Sequence, residues 1–343
     1  MTEAKSIFFE DVESVVNASF VPWERLRNRT IFITGATGLI GSSMTRCLFY
    51  ANQKMGLNLT VVALVRDRQK ALNRFSDEMR LEFLKLVQGT VEEFPDCSNL
   101  GKVDYIIHAA SQTASGEFIA HPVETMRTAV MGTMNLLAFA YEKKVKGFVY
   151  LSSMEVYGYP KRGHRVTEKE IGALSPLELR NSYPVSKIMS EALCCAYAKE
   201  YGVPATICRL TQTFGPGVHE NDERIFAYFG KCVREKENII LKTRGETERS
   251  YLYTTDAVTA LLTIMLKGEP GRAYNAADES TYCSIAEMAQ KVARDAGIEV
   301  EYSLQNPSAN GFPNTLYMDL DTSALRALGW TPKIWNWGGA DDS

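Results

Sequence analysis

The chain has 343 residues, 45% of them hydrophobic and 23% charged, and a formal net charge of −3. That length suits one large or two ordinary domains, and the near-neutral balance argues against a nucleic-acid partner or an anionic membrane surface. No apolar run reaches the ~18 residues of a membrane-spanning helix. The seven cysteines (Cys47, Cys97, Cys194, Cys195, Cys208, Cys232 and Cys283) are odd in number and lack CxxC spacing, so free thiols in a reducing cytoplasm are expected. The four histidines (His108, His121, His164 and His219) lack metal-ligand spacing, and no metal site is expected. The acidic N-terminus lacks the charged-then-apolar layout of a secretory signal.

Residues 1–29 form an N-terminal extension. Ile7, Phe8, Val12, Val15 and Val16 predict a short amphipathic helix that covers part of a sheet. Thr30–Met44 then reads TIFITGATGLIGSSM. Ile31, Phe32 and Ile33 are an apolar run of buried-strand type. Gly35, Gly38 and Gly41 follow at GxxGxxG spacing, with Thr37 inside the turn. Leu39, Ile40, Met44, Cys47 and Leu48 continue at helical spacing. Strand, glycine turn and helix together are the context of a dinucleotide-binding site. Gly35 makes the tight turn, Gly38 lets a pyrophosphate approach the backbone, and Gly41 lets the helix pack against the strand. The helix N-terminus offers free N–H groups and a positive dipole end to the phosphates.

Further strands are expected at Leu59–Val65, Leu84–Val87, Val103–His108, Phe148–Ser152 and Ala205–Leu210. A charged helix running through Phe83, a long helix at Pro122–Lys143 and another at Tyr183–Tyr201 alternate with them. The alternation implies an α/β fold of Rossmann type, a doubly wound parallel sheet with right-handed crossovers. Ligands of such sheets bind beyond the carboxyl ends of the strands, where His108, Ala109, Ala110, Ser111, Ser152 and Ser153 fall. From about Gly215 the pattern becomes short strands, loops and helices. We therefore expect a dinucleotide-binding domain at 30–214, a smaller and mainly substrate-binding part at 215–335, and a disordered polar tail at 336–343. Ala257–Leu266 is expected to pack back onto the sheet.

Tyr183 and Lys187 stand four apart on a predicted helix and so share a face. A free tyrosine has a pKa of about 10 and is a poor base. An ammonium one turn away favours the phenolate and makes Tyr183 a candidate general base, with Lys187 also holding the nicotinamide ribose. Ser153, in LSSMEVYG, is delivered to the same place by a strand end; a serine there also commonly N-caps the following turn.

The motifs GATGLIG, HAAS, HPVETMRTAVMGTMNLLAFA, SSMEVYG, YPVSK, RLTQTFGPGVHENDERI, RSYLYTTDA and LGWTP follow one another in this order. In this the chain resembles the extended short-chain dehydrogenase/reductases that modify nucleotide sugars, over nearly its whole length. It is most similar to UDP-glucuronate decarboxylases, and next to dTDP-glucose 4,6-dehydratases. The resemblance implies a shared first step in which Tyr183 and NAD oxidise the sugar C4 hydroxyl to a ketone. Loss of CO₂ from a 4-keto uronic acid would follow. A 4-epimerase is the alternative, then a 4,6-dehydratase or an NADPH-dependent reductase. The resemblance further implies that Glu155 is catalytic at C5 or C6 and that Arg249 meets the diphosphate or sugar. It places Ser111, Ser153, Met154, Gln212, His219, Asn221 and Arg224 around the substrate, and it implies a homodimer built on the two long helices.

Several positions depart from the family pattern. Met154 stands where the dehydratases carry an acid and the decarboxylases usually a serine, and a thioether cannot protonate a departing hydroxide. Gln212 and Ala129 each replace an asparagine, and Thr90 replaces an aspartate near the adenine. At the end of the second strand Val65 and Arg66 stand where NAD enzymes commonly place an acid, with Asp67 next. Arg66 suits a 2′-phosphate, so NADP is the alternative to the expected NAD.

Overall fold

The computed structural model describes residues 3–76, 82–112, 115–218, 222, 224–305 and 315–333. The tail at 336–343 and the loop at 306–314 lie outside the described residues.

Helix α1 (Glu3–Val16) precedes β1 (Thr30–Thr34), α2 (Leu39–Met55), β2 (Thr60–Val65), α3 (Arg68–Arg74) and β3 (Leu84–Gln88). Next come β4 (Tyr105–His108), α4 (Ser115–Ala120), α5 (Pro122–Lys143) and β5 (Gly147–Ser153). A 3-10 turn at Met154–Tyr157 leads to β6 (Arg165–Val166), α6 (Ser182–Tyr201), β7 (Ala205–Leu210) and β8 (Gln212–Phe214). The remainder is α7 (Ile225–Glu235), β9 (Ile239–Leu241), β10 (Glu248–Tyr253), α8 (Thr254–Lys267), β11 (Ala273–Ala276), β12 (Asp278–Ser284), α9 (Ile285–Ala296), β13 (Val300–Tyr302), β14 (Tyr317–Leu320) and α10 (Ser323–Arg326).

Seven strands make one sheet in the order β11-β7-β5-β4-β1-β2-β3, and every pairing in it is parallel. Successive strand residues point to opposite faces. Ile31, Ile33, Val61, Ala63, Val149 and Leu151 pack on one side with α1, α2 and α8. Phe32, Val62, Leu64, Ile106, Phe148 and Tyr150 pack on the other with α5 and α6. Both faces are thus covered, as continuous apolar strands require. Truncating a buried isoleucine, leucine or phenylalanine among these to alanine costs ~2–5 kcal/mol.

Two expectations need correction and one is sharpened. The charged helix after β2 is not continuous to Phe83: α3 ends at Arg74, with Phe75 buried in the core, Ser76 is helical again, and Glu82 and Phe83 are not helical; positions 77–81 lie outside the described residues. The N-terminal extension covers the sheet mainly through α2 and α8, on which α1 lies, and it meets strands where Tyr253 OH of β10 donates to Asp11 Oδ2 and Thr60 N of β2 donates to Arg29 O. The sheet also has a seventh strand, β11, drawn from beyond residue 214, while α8 packs onto β5 and β7 as expected.

A second sheet of five strands runs β12-β10-β14-β6, with β8 alongside β10. Helix α9 opens on a capping box, in which Ser284 and Glu287 each satisfy the other's backbone N–H, and closes on left-handed Gly297. Among the described residues no helix is long and apolar enough to cross a membrane, and no cluster of His, Cys, Asp or Glu side chains suits a metal.

Candidate active site

The glycines fit a dinucleotide cradle. Gly35 has a positive φ of +68°, and a Cβ there would stand 2.7 Å from the backbone carbonyl of Ala109. A Cβ on Gly41 would collide with the carbonyl oxygen of Gly35. The first glycine therefore lets the turn pass the end of β4, and the third seats α2 against that turn. Gly38 is the N-cap of α2, and no side chain caps the helix, so the first-turn N–H groups of Leu39 and Ile40 face outward with the positive dipole end. Thr37 is half-buried in this turn. Ala109 and Ala110 are fixed to β1, with Ala109 N donating to Thr34 O at 3.3 Å and Ala110 N to Thr34 Oγ1 at 3.1 Å.

Around the adenosine end Val65 is buried and Arg66 is exposed. Asp67 is the N-cap of α3, its carboxylate accepting from Lys70 N at 2.9 Å. Thr90 similarly caps the next turn through Glu93 N. Arg74, not anticipated from sequence, donates from Nη2 to Ser42 Oγ at 2.8 Å, directly beside the glycine turn. Its buried Nε has no hydrogen-bond partner among the described residues.

The reactive groups converge beyond the carboxyl ends of β4 and β5. Tyr183 and Lys187 share the inner face of α6, with the ammonium 5.6 Å from the phenol ring centroid. Lys187 Nζ donates to Leu151 O at 2.6 Å and lies over the Tyr150 ring. Burial pulls the Lys187 pKa down to about 7, against the pull of Glu191 and Cys194. Burial raises that of Tyr183, as does the Glu155 charge, while the Ser153 hydroxyl and Arg180 lower it. Ser153 Oγ also accepts from Glu155 N at 3.2 Å, so it caps the turn while facing Tyr183.

Glu155 pairs with Arg180 at 3.0 Å, and both are partly exposed. Arg180 also lies over the ring of Phe118, which stacks face to face on Tyr183 with centroids 4.3 Å apart and planes at 3°. Neither partner was anticipated. Arg180 stands three residues before Tyr183, a spacing that would have found it, whereas Phe118 arrives from α4 and carries no local signal.

Met154, expected at the substrate, is instead buried with Val156, Val166, Met318 and Leu320, its sulfur 3.4 Å from Thr211 Oγ1. The sharp turn after β5 drives this side chain inward while Glu155 stays outward. Ser111 is partly buried and spends its hydroxyl on Gln112 O. Gln212 on β8 and Arg249 on β10 lie on adjoining strands, and Gln212 Oε1 and Arg249 Nε are buried without hydrogen-bond partners among the described residues. Such orphaned atoms are what a polar ligand satisfies. Arg224 is held by Asp222 through Nε and Nη2, so its guanidinium is spent locally. His219 and Asn221 lie outside the described residues.

The sequence matches the model of the NAD dependent epimerase/dehydratase family over residues 31–277. It is 28% identical to human (Homo sapiens) dTDP-D-glucose 4,6-dehydratase over 314 residues, covering 89% of this chain and 86% of the relative. It is 29% identical to UDP-glucuronic acid decarboxylase 1 of Xenopus tropicalis, covering 91% and 70%. The fold is similar to that of the dTDP-glucose 4,6-dehydratase DesIV of Streptomyces venezuelae, solved with NAD bound, at a TM-score of 0.74, 23% identity and coverage of 89% and 92%. It is also similar to a UDP-glucuronic acid 4-epimerase of Bacillus cereus at a TM-score of 0.75, 19% identity and coverage of 89% and 95%. With the glycine cradle and the Tyr183–Lys187 pair in place, and the model matching most of its length, the chain belongs to the NAD dependent epimerase/dehydratase family.

Proposed function

We propose that the protein is an NAD-dependent nucleotide-sugar enzyme that oxidises C4 of the sugar and decarboxylates a UDP-uronate. The observation that carries the reading is the grouping of Ser153, Glu155, Arg180, Tyr183 and Lys187 beyond the carboxyl ends of β4 and β5, with no acid at position 154. Residues 30–214 hold the cofactor and 215–335 mainly the sugar nucleotide. Gly35, Thr37, Gly38, Leu39, Ile40 and Gly41 would cradle the pyrophosphate, Ala109 and Ala110 would line the ring end, and Lys187 would hold the ribose. When bound, NAD takes the C4 hydride and later returns it. The related solved dehydratase is described with NAD, and Arg66, the one feature that suits NADP, is exposed at the rim.

Tyr183, as phenolate, accepts the C4 hydroxyl proton, with Ser153 bonded to the same oxygen and Lys187 holding the phenolate charge. Arg180 is a fork of donors suited to a carboxylate, and a uronate group there would take it over from Glu155. The 4-keto acid then breaks its C5–C6 bond, CO₂ leaves, and the electron pair moves to the ketone oxygen. Glu155 stands where C5 would be reprotonated. Gln212 and Arg249 take the diphosphate. Dehydration needs an acid for the departing hydroxide, and Met154 supplies none; CO₂ needs no acid to leave. Epimerisation at C4 is the second reading, since it uses Ser153, Tyr183 and Lys187 alone.

The test is incubation of the purified protein, with NAD or NADP, with UDP-glucuronate, UDP-glucose, UDP-N-acetylglucosamine and dTDP-glucose, followed by mass spectrometry. Loss of carbon dioxide from UDP-glucuronate is expected. Loss of water, or an isomer of unchanged mass, would replace the proposal by dehydration or epimerisation. Tyr183→Phe is expected to lose at least ~10²-fold in turnover, and wild-type turnover in it would remove Tyr183 as the base.

A further inference from the structure

The geometry points to Glu191 as a positioning residue that holds the Tyr183–Lys187 pair in register with β5 and supplies the buried countercharge to Lys187. Three successive β5 residues meet three successive turns of α6. Ser153 faces Tyr183, Leu151 O accepts from Lys187 Nζ, and Ser152 Oγ donates to Glu191 Oε1 at 2.5 Å. Glu191 is buried, four residues beyond Lys187. Its carboxylate is fixed from the far side by Arg209 of β7, which reaches it through Nε at 3.0 Å and Nη2 at 2.7 Å. Arg209 Nη1 in turn donates to Tyr157 OH at 2.9 Å, and Tyr157 OH donates to Asn275 Oδ1 at 2.6 Å. Tyr157 belongs to the turn that carries Met154 and Glu155. One buried network therefore grips the helix of the base, the strand end of Ser153 and the turn of Glu155.

The groups facing Lys187 are few. Tyr150 comes from β5 and His108 from β4, with Tyr183, Glu191 and Cys194 on its own helix. Glu191 is the one carboxylate among them, and burial works against the ammonium. A neutral residue at 191 would leave that burial without an opposing charge, and Lys187 would shed its proton at lower pH. Tyr183 would then stand beside a neutral amine over more of the neutral pH range. A network fully satisfied in this way also fixes side-chain geometry, which is where a displacement of about 1 Å becomes costly in rate.

This inference rests on the reading of Tyr183 as the base, so its readout is chosen to be independent of the sugar. The carbon-13 resonance of Lys187 Cε in the NAD-loaded, sugar-free protein, identified by its loss in Lys187→Met, follows the ionisation of Lys187 directly across pH. The same titration is taken in Glu191→Gln. Glu191→Gln is expected to move the Lys187 ionisation downward by ~1 pH unit, and the alkaline fall of turnover with it. Glu191→Asp keeps the charge and is expected to retain the wild-type profile with reduced kcat. An unchanged titration in folded Glu191→Gln would overturn the inference. Should Glu191→Gln not fold, Ser152→Ala removes only the tether; it is expected to lower kcat at least fivefold with KM unchanged, and unaltered kcat would overturn the positioning role.

Discussion

The ring of Phe118 lies parallel to that of Tyr183, at 4.3 Å and 3°, so the candidate base is covered on one face by an apolar side chain. Burial is the leading cause of the raised Tyr183 pKa. Phe118→Ala is expected to bring the Tyr183 ionisation down toward the ordinary phenol value, read by tyrosinate absorbance against pH. The same change should cost ~3–5 kcal/mol in chemical denaturation. Phe118→Leu should lose only the ring-pair part, ~0.5–1.5 kcal/mol. A Tyr183 titration unmoved by both would show that other groups control it.

Met154 is packing, on the geometry of its contacts with Thr211 and the cluster around Met318. Met154→Leu conserves volume and should cost less than ~1.5 kcal/mol with the sugar product unchanged. Met154→Asp places a carboxylate in that apolar cluster, and it should destabilise the fold without creating a dehydrated product. Appearance of that product would mean that position 154 reaches the sugar after all.

His108 is buried between Thr34 and Thr133, at 2.8 and 3.2 Å, and burial, helped by Lys187, drives its pKa down to about 3. The folded protein thus keeps this imidazole neutral at a pH where the unfolded chain, near ~6.5, has already taken up a proton. Between those values the unfolded state binds more protons, so His108 withdraws stability as pH falls below ~6.5 and withdraws no more below about 3. Urea denaturation at pH 7 and pH 5 should show a smaller loss in His108→Gln than in the wild type. Equal losses would place the acid sensitivity elsewhere.

Helices α5 and α6 present Val123, Met126, Met131, Met134 and Met189 to solvent in the single chain. These side chains support our proposal of a homodimer built on the two helices, since scattered methionines along one pair of helices are an apolar face without a cover. Met126→Glu combined with Met134→Glu should shift the molecular mass by light scattering from dimer to monomer. A wild-type chain that is monomeric at micromolar concentration would remove the proposal.

The central sheet and the cofactor cradle were legible because their causes are local. An apolar run, three glycines and a helical period each announce themselves within a few residues, and Tyr183 and Lys187 need only one helix to meet. What was not legible depends on strand order. Glu155 and Arg180 are 25 residues apart, and Glu191 and Arg209 are 18 apart on different elements. Phe118 reaches Tyr183 only because α4 follows β4, the neighbour of β5 in the sheet. The strand β11, AYNA, is four residues long and gains its place from Arg209 and its neighbours on β7 rather than from its own pattern. The inward turn of Met154 follows from a bend that spacing does not encode.

Between β7, ending at Leu210, and β8, beginning at Gln212, stands Thr211 alone. Its N–H donates to Ala276 O beside the large sheet, and its hydroxyl donates to Ser250 O in the smaller one at 2.6 Å. The backbone passes from one sheet to the other with no linker to separate them, and the bonds on either side are buried. Loss of either sheet exposes the other at this seam. The consequence is mechanical and thermodynamic: both sheets should melt together, in one denaturant transition seen alike by tryptophan fluorescence and circular dichroism.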